Sequence, residues 1–182
     1  MAKKKTRRRR APKRRVLHAP WRIEYILGPK DETCFFCDAT RLPARDEAAW
    51  KEMLLLYRDK HVVVIMNRYP YIGGHLLVAP CRHTANLPGL KGTESRSLWE
   101  LTRVCQKFIG ETFEPHGFNL GMNLGRAAGA GVEEHLHMHV MPRWVGDTNF
   151  MPTIANTHSL PVALHEVWDQ LRPKFKKYRK GR

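Results

Sequence analysis

Polar and apolar positions alternate strictly over His135-Leu136-His137-Met138-His139-Val140-Met141, and a period of two is the signature of a strand with one buried face. As a strand, the run sets His135, His137 and His139 on one open face, with neighbours roughly 7 Å apart. Leu136, Met138 and Val140 then turn into a core. A helix would scatter the three imidazoles, because residues two apart do not share a helical face. Pro142 closes the run, since it has no donor for a sheet ladder.

The rest of the chain falls into elements by the same reasoning. Residues 43–52 suit a short helix. Met53 to Tyr57 and His61 to Met66 read as strands joined by a tight turn at Asp59-Lys60, and the β-branched run Val62-Val63-Val64-Ile65 predicts a central strand. A loop over Asn67-Arg68-Tyr69-Pro70 leads to Gly73-Gly74 and a strand that begins at His75. Leu98, Leu101, Val104, Cys105, Phe108 and Ile109 keep helical spacing, so Thr93 to about Phe113 is the one long helix, stopped by Pro115 and Gly117. Phe118, Leu120 and Met122 alternate with Asn119, Gly121 and Asn123, a strand with one apolar face. A small-residue loop, Gly125 to Gly131, leads into the histidine run, and residues 161–171 form a short amphipathic helix. The class is α+β: a mainly antiparallel sheet with the long helix across one face. No internal repeat is visible.

Charge changes this picture only at the ends. The 182 residues suit one domain, and the net charge of +15 is unevenly placed. Residues 1–15 hold ten Lys/Arg and residues 174–182 hold six, with no acidic residue in either, which leaves a body near −1. The expected division is a basic tail over 1–18, one domain over 19–173, and a second basic tail over 174–182. Such runs bind polyanions, nucleic acid included, without choosing sequence. No apolar run approaches the roughly 18 residues of a membrane span, and no apolar segment follows the basic N-terminus as a secretory signal requires. The four cysteines, two of them in Cys34-Phe35-Phe36-Cys37, point to a reducing cytoplasm.

Three histidines in alternation suit either a metal site or nucleophilic catalysis on phosphorus, with one ring attacking and its neighbours orienting it. Cys34 and Cys37 are half of a tetrahedral zinc site that needs nitrogens from elsewhere; the alternative is two buried thiols around an aromatic pair. Cys81 and Cys105 read as core thiols. The Gly-rich loop gains weight as a phosphate site from standing directly before the histidines. Arg143 and Trp144 fit edge packing or a phosphate contact.

His-apolar-His-apolar-His-apolar-apolar resembles the defining motif of the histidine triad (HIT) nucleotide hydrolases and transferases. The resemblance runs from about Thr33 to Pro152. Asn123-Leu124-Gly125, Ala128-Gly129-Ala130-Gly131-Val132, and Pro142-Arg143-Trp144 running on to Gly146-Asp147-Thr148-Asn149-Phe150 make it most similar to the bacterial branch with diadenosine tetraphosphate phosphorylases and hydrolases. It implies the HIT fold, a homodimer through the long helix and a sheet edge, and a dinucleoside polyphosphate substrate. It implies His137 as the nucleophile forming a nucleotidyl-histidine, with His139, His75, Asn123 and the amides of Gly129, Ala130 and Gly131 holding phosphate oxygens. Asn67 matches a ribose contact, and Ile65 and Phe36 complete the nucleotide site. A structural zinc on Cys34, Cys37, His83 and His135 is also implied, with no metal needed for the chemistry. One departure stands out: Gly131 and Val132 replace a Gln-Ser/Thr pair of many HIT hydrolases, which disfavours fast attack by water and leaves attack by orthophosphate open. The alternatives are a phosphoramidase, a nucleic-acid-end deadenylase, and a nucleotide-binding regulator with little turnover.

Overall fold

The computed structural model describes residues 33–147 and 163–181. The basic run over 1–18, the start of order near 19 and the tract beyond Asp147 lie outside the described residues. The elements in chain order are α1 (Phe35–Arg41), α2 (Glu47–Glu52), β1 (Leu55–Arg58), β2 (Val62–Met66), β3 (Leu76–Pro80), α3 (Gly92–Phe113), β4 (Gly117–Gly121), a 3-10 turn (Arg126–Ala128), β5 (Met138–Arg143) and α4 (Leu164–Lys180).

The strands form one five-stranded sheet in the order β1-β2-β3-β5-β4, with every pairing antiparallel. β2 is an interior strand, and all five of its residues are buried, as its β-branched run requires. The middle of the sheet is β3, whose neighbours are β2 and β5. Gly74 enters β3 at φ +78°, where a Cβ would stand 3.3 Å from the Pro142 ring, so only glycine fits this approach. Asp59 makes the β1–β2 turn tight, because its carboxylate accepts from the His61 and Val62 amides at 2.7 and 2.9 Å.

α3 lies against β2, β3 and β5 and buries Leu98, Leu101, Cys105 and Ile109, the spacing the sequence shows. It starts one residue before Thr93, where Glu94 accepts from the Lys91 amide at 2.8 Å. Glu94 also takes both arms of Arg82 at 2.9 and 2.8 Å. That pairing, ahead of the cost of burial, holds the Glu94 carboxyl well below its ordinary range, at about 2. Its folded value lies below the unfolded value of about 4.3, so the pair's contribution is present above that pH and fades as acid is added toward pH 2. Glu94→Gln is therefore expected to lower the melting temperature at pH 7, and the gap to the wild type should close in melts taken down through pH 4.

α4 corrects two expectations, because α3 is not the one long helix and residues 174–180 are not a tail. Val167, Trp168, Leu171 and Phe175 are buried in turn and Tyr178 packs at the edge, so the apolar stripe runs through the basic segment. Pro173 sits on the exposed side of the helix. Arg172 is almost fully buried. It grips Glu47 with two bonds at 3.1 and 2.7 Å, donates to the Leu56 carbonyl at 2.6 Å, and lies 4.3 Å over the Trp50 ring. This side chain ties α4 to α2 and β1, so Arg172→Ala is expected to lower the unfolding free energy by about 2–3 kcal/mol in urea titrations.

The apolar face expected on β4 is covered in part: Phe118 and Met122 pack against the core, whereas Leu120 is 43% exposed at the sheet edge, and Trp99 on α3 is 56% exposed. Among the described residues no helix is long and apolar enough to cross a membrane.

Candidate active site and metal centre

Only the last of the three histidines belongs to a strand. β5 begins at Met138, so His135, Leu136 and His137 precede it outside the ladder, pinned where the Leu136 amide donates to the Thr84 carbonyl at 2.8 Å. β5 also runs through Pro142 to Arg143. β3 pairs with β5 only as far as Val140, so the proline has a ladder partner on one side alone. Leu136, Met138 and Val140 are all buried as expected, and burial alternates within β5, where His139 is half-buried. The open histidine face does not hold: His135 is 0% exposed and His137 is 5% exposed. α1 covers them. Its Phe36 ring stands 4.9 Å from the His135 ring and 5.1 Å from the His137 ring.

The backbone fixes which nitrogen of each ring carries the proton, because a carbonyl can only accept and an amide N–H can only donate. His137 Nδ1 lies 2.9 Å from the His135 carbonyl, so Nδ1 is protonated and Nε2 keeps the lone pair. Burial pushes the His137 pKa down, which keeps the ring neutral. His75 Nδ1 accepts from the Tyr71 amide at 3.3 Å, so the His75 proton is on Nε2, 2.9 Å from His139 Nδ1. His139 Nδ1 is then an acceptor, and Nε2 carries its proton. The His137 and His139 rings are 4.8 Å apart, edge to face. The site thus sets a lone pair on one ring beside an N–H on the next.

His135 faces the other way. Its Nε2 donates to the Pro80 carbonyl at 2.8 Å, which leaves the Nδ1 lone pair pointing at Cys34 Sγ (3.2 Å) and Cys37 Sγ (3.7 Å). Burial drives the His135 pKa down to about 4, so that lone pair is not lost to a proton at neutral pH. His83 Nδ1 is 3.3 Å from Cys37 Sγ. The four donor atoms of Cys34, Cys37, His83 and His135 all lie within 4.8 Å of one another, a set that could hold a metal ion. Burial, and then the neighbouring Cys34, raises the Cys37 pKa. Two thiols so close resist ionising together unless a cation stands between them, and the His135 lone pair is aimed at the same point. The donor set fits a tetrahedral ion.

Other expected site residues are placed differently. Gly129 and Ala130 do not present free amides, because they donate to the Arg126 and Gly125 carbonyls at 3.0 and 3.4 Å and close the turn. Both amides are thus engaged within the turn. Asn123 Nδ2 donates to the Gly129 carbonyl at 3.4 Å, which holds the loop. Phe36 and Ile65 are 0% and 2% exposed, so they form the floor and offer a nucleoside almost no surface. Ile65 reaches that floor through the register Ile65–Leu77–His139 across β2, β3 and β5. Asn67 is 3.2 Å from His75 Nδ1 and takes the Tyr69 amide at 2.9 Å. Arg143 is held by Asp147 at 2.6 and 2.7 Å and by Asn119 at 2.7 Å, so edge packing is the better of its two readings. Cys105 is a core thiol, while Cys81 is half-buried against the Asp59 carbonyl.

The HIT domain profile matches residues 50–145 of this chain. An AP-4-A phosphorylase of Mycobacterium tuberculosis is 36% identical over 154 residues, covering 83% of this chain and 79% of its own length. The chain belongs to the HIT domain family. A bis(5'-adenosyl)-triphosphatase of Saccharomyces cerevisiae is 32% identical over 98 residues, 51% of this chain and 47% of the yeast protein. A Zn-bound histidine triad family protein from Mycobacterium smegmatis shares the fold, with a TM-score of 0.60 and 23% identity over 82% of this chain and 98% of its own.

What the motif of this HIT domain could not show is the backbone around it. The Pro80 and His135 carbonyls and the Tyr71 amide set the ring orientations, and no side-chain identity announces them. Tyr71 was also missed: its ring stacks on His75 at 5.4 Å and meets His139 edge-on at 6.5 Å. Its place four residues before His75 was the available signal.

Proposed function

We propose that this HIT protein cleaves dinucleoside polyphosphates of the diadenosine tetraphosphate type by nucleotidyl transfer through His137, with orthophosphate as the preferred acceptor. The observation that carries the reading is the pair of opposed tautomers, a lone pair on His137 Nε2 beside a proton on His139 Nε2. His137 Nε2 attacks the α-phosphorus. An Nε2–P bond forms as the bond from that phosphorus to the bridging oxygen breaks, and the leaving nucleotide departs as ATP from diadenosine tetraphosphate. His139 Nε2–H steadies the charge that gathers on the phosphoryl oxygens, with His75 holding the His139 ring in that tautomer. In the second step an oxygen of orthophosphate displaces His137 Nε2 and releases ADP. Splitting one displacement into two is what a covalent intermediate offers.

The AP-4-A phosphorylase relative supports this substrate class, and Gly131-Val132 supports phosphate over water, since neither side chain can orient a water. We assign zinc to Cys34, Cys37, His83 and His135, where it would serve as a structural ion that anchors α1 over the histidines. The exposed Trp99 and Leu120 support a homodimer through α3 and the β4 edge, testable by light scattering. The function itself is tested by product analysis on diadenosine tetraphosphate at fixed enzyme and varied phosphate. ADP and ATP in equal amounts, at a rate that rises with phosphate, are expected. AMP and ATP at a rate indifferent to phosphate would make it a hydrolase. No product with this substrate, beside turnover of a nucleoside phosphoramidate, would move it to P–N cleavage.

A further inference from the structure

The basic C-terminal segment is folded, and its place in the fold gives it a use that a loose tail would not have. A cleft of about 610 Å³ opens where the β1–β2 turn meets the start of α3 and the end of α4, lined in part by Arg58, Asp59, Lys60, His61, Ser97 and Arg179. It sits at the opposite edge of the sheet from β4. Asp59, its acidic member, is turned to its own loop, with one oxygen on the His61 and Val62 amides and the other 3.2 Å from the Tyr57 hydroxyl. Arg58 is likewise engaged, with the Ala39 and Thr40 carbonyls and the Trp50 ring.

Lys60 and Arg179 are different, being exposed and making no ion pair among the described residues. Lys177 and Lys180 extend that cationic surface along α4 in the same condition. Lys174 and Lys176, by contrast, are each ion-paired, with Glu111 and Glu47. Some positive charge at a helix C-terminus answers the helix dipole. That does not account for Lys60, which stands on a turn across the cleft.

We propose that this cleft and the α4 terminus form a docking surface for the phosphodiester backbone of nucleic acid, separate from the histidine site. Two uncompensated cations, Lys60 and Arg179, flank the concavity and two more, Lys177 and Lys180, continue the charge along α4, which matches the sign of a strand of phosphates. A bilayer fits less well. None of the large exposed apolar side chains lies on α4 or on the β1–β2 turn, and a few cations without an apolar anchor hold a membrane weakly. Binding by this surface is sequence-indifferent and steep in salt, because each phosphate neutralised releases a counterion. Ser97 and His61 add hydrogen-bonding groups to the cleft wall.

The test is fluorescence anisotropy of the full chain with a mixed-sequence labelled RNA oligonucleotide, across a salt series. It compares the wild type with Lys60→Glu/Lys177→Glu/Arg179→Glu/Lys180→Glu and with the same four positions changed to Gln. The wild type is expected to bind. The Gln variant is expected to weaken binding at least about tenfold and to make the slope of log K against log salt shallower by about three, at roughly 0.7 for each of the four cations removed. The Glu variant should lose more. Melting temperature and turnover of diadenosine tetraphosphate should stay near wild type in both, which separates a docking defect from misfolding. Unchanged affinity and slope in both variants would overturn the proposal and assign any binding to the N-terminal basic run. So would wild-type protein that ignores RNA, or that prefers phosphatidylserine vesicles to it.

Discussion

His137→Asn is expected to fold, to bind nucleotide, and to lose turnover of diadenosine tetraphosphate by at least about a thousandfold, some 4 kcal/mol of transition-state stabilisation. Asparagine offers no lone pair where the His137 Nε2 stands, so the covalent route closes and only binding and electrostatic contributions remain. The fold should survive, because the ring's main contacts are Phe36 and one backbone carbonyl. His139→Asn is a useful contrast. It removes a proton donor rather than the nucleophile, and a loss of about a hundredfold is the scale for such a group. Steady-state kcat/KM with each variant, beside a nucleotide-binding isotherm, measures the difference. Near-normal turnover in His137→Asn would remove the nucleophile from the account.

The second large effect concerns the metal centre. Cys34→Ser/Cys37→Ser is expected to purify without zinc, where the wild type carries about one ion per chain. The double variant should melt roughly 10 °C or more lower, since several kcal/mol of metal binding is folding free energy in such a site. The reason is local: the two thiols, His83 and His135 join α1, the segment after β3 and the approach to β5, and without an ion those three are held only by packing. Turnover at a temperature where the variant is folded should remain within about tenfold of wild type, because no step uses the metal. Metal analysis by inductively coupled plasma, with thermal melts before and after chelation, reads both. A wild type without zinc, whose melting temperature ignores the cysteines, would contradict the assignment.

The sequence exposed the periodic parts of this structure most clearly. The β-branched run of β2 and the 3.6-residue stripe of α3 each reflect a face that must be buried, and burial leaves a mark at every turn or every second residue. The same marks were present in α4, at Leu171, Phe175 and Tyr178, but the charge of the intervening lysines masked them, and the helix was expected to end too early. The histidines were legible as a set and not as an environment. Alternation placed them together, while the burial of His135 and His137 comes from Phe36, about a hundred residues earlier in the chain. The zinc ligands show the same division. Cys34 and Cys37 are a local signal, whereas His83 and His135 entered the set only through the family resemblance, and the fold brings His83 Nδ1 to 3.3 Å from Cys37 Sγ while it commits His75 to His139. The loop amides of Gly129 and Ala130 could not be judged from composition, because glycine permits a phosphate cradle and a closed turn alike.

The most direct test of the central claim is to trap the intermediate. Wild-type protein is mixed with diadenosine tetraphosphate carrying radiolabelled α-phosphates in the absence of orthophosphate, quenched in alkali and digested. Label is expected on the peptide that contains His137, in a bond stable to base and labile to acid. A chase with orthophosphate before the quench should move that label into ADP as fast as the enzyme turns over. Turnover with no protein-bound label, or with label on a peptide lacking His137, would contradict nucleotidyl transfer through this residue.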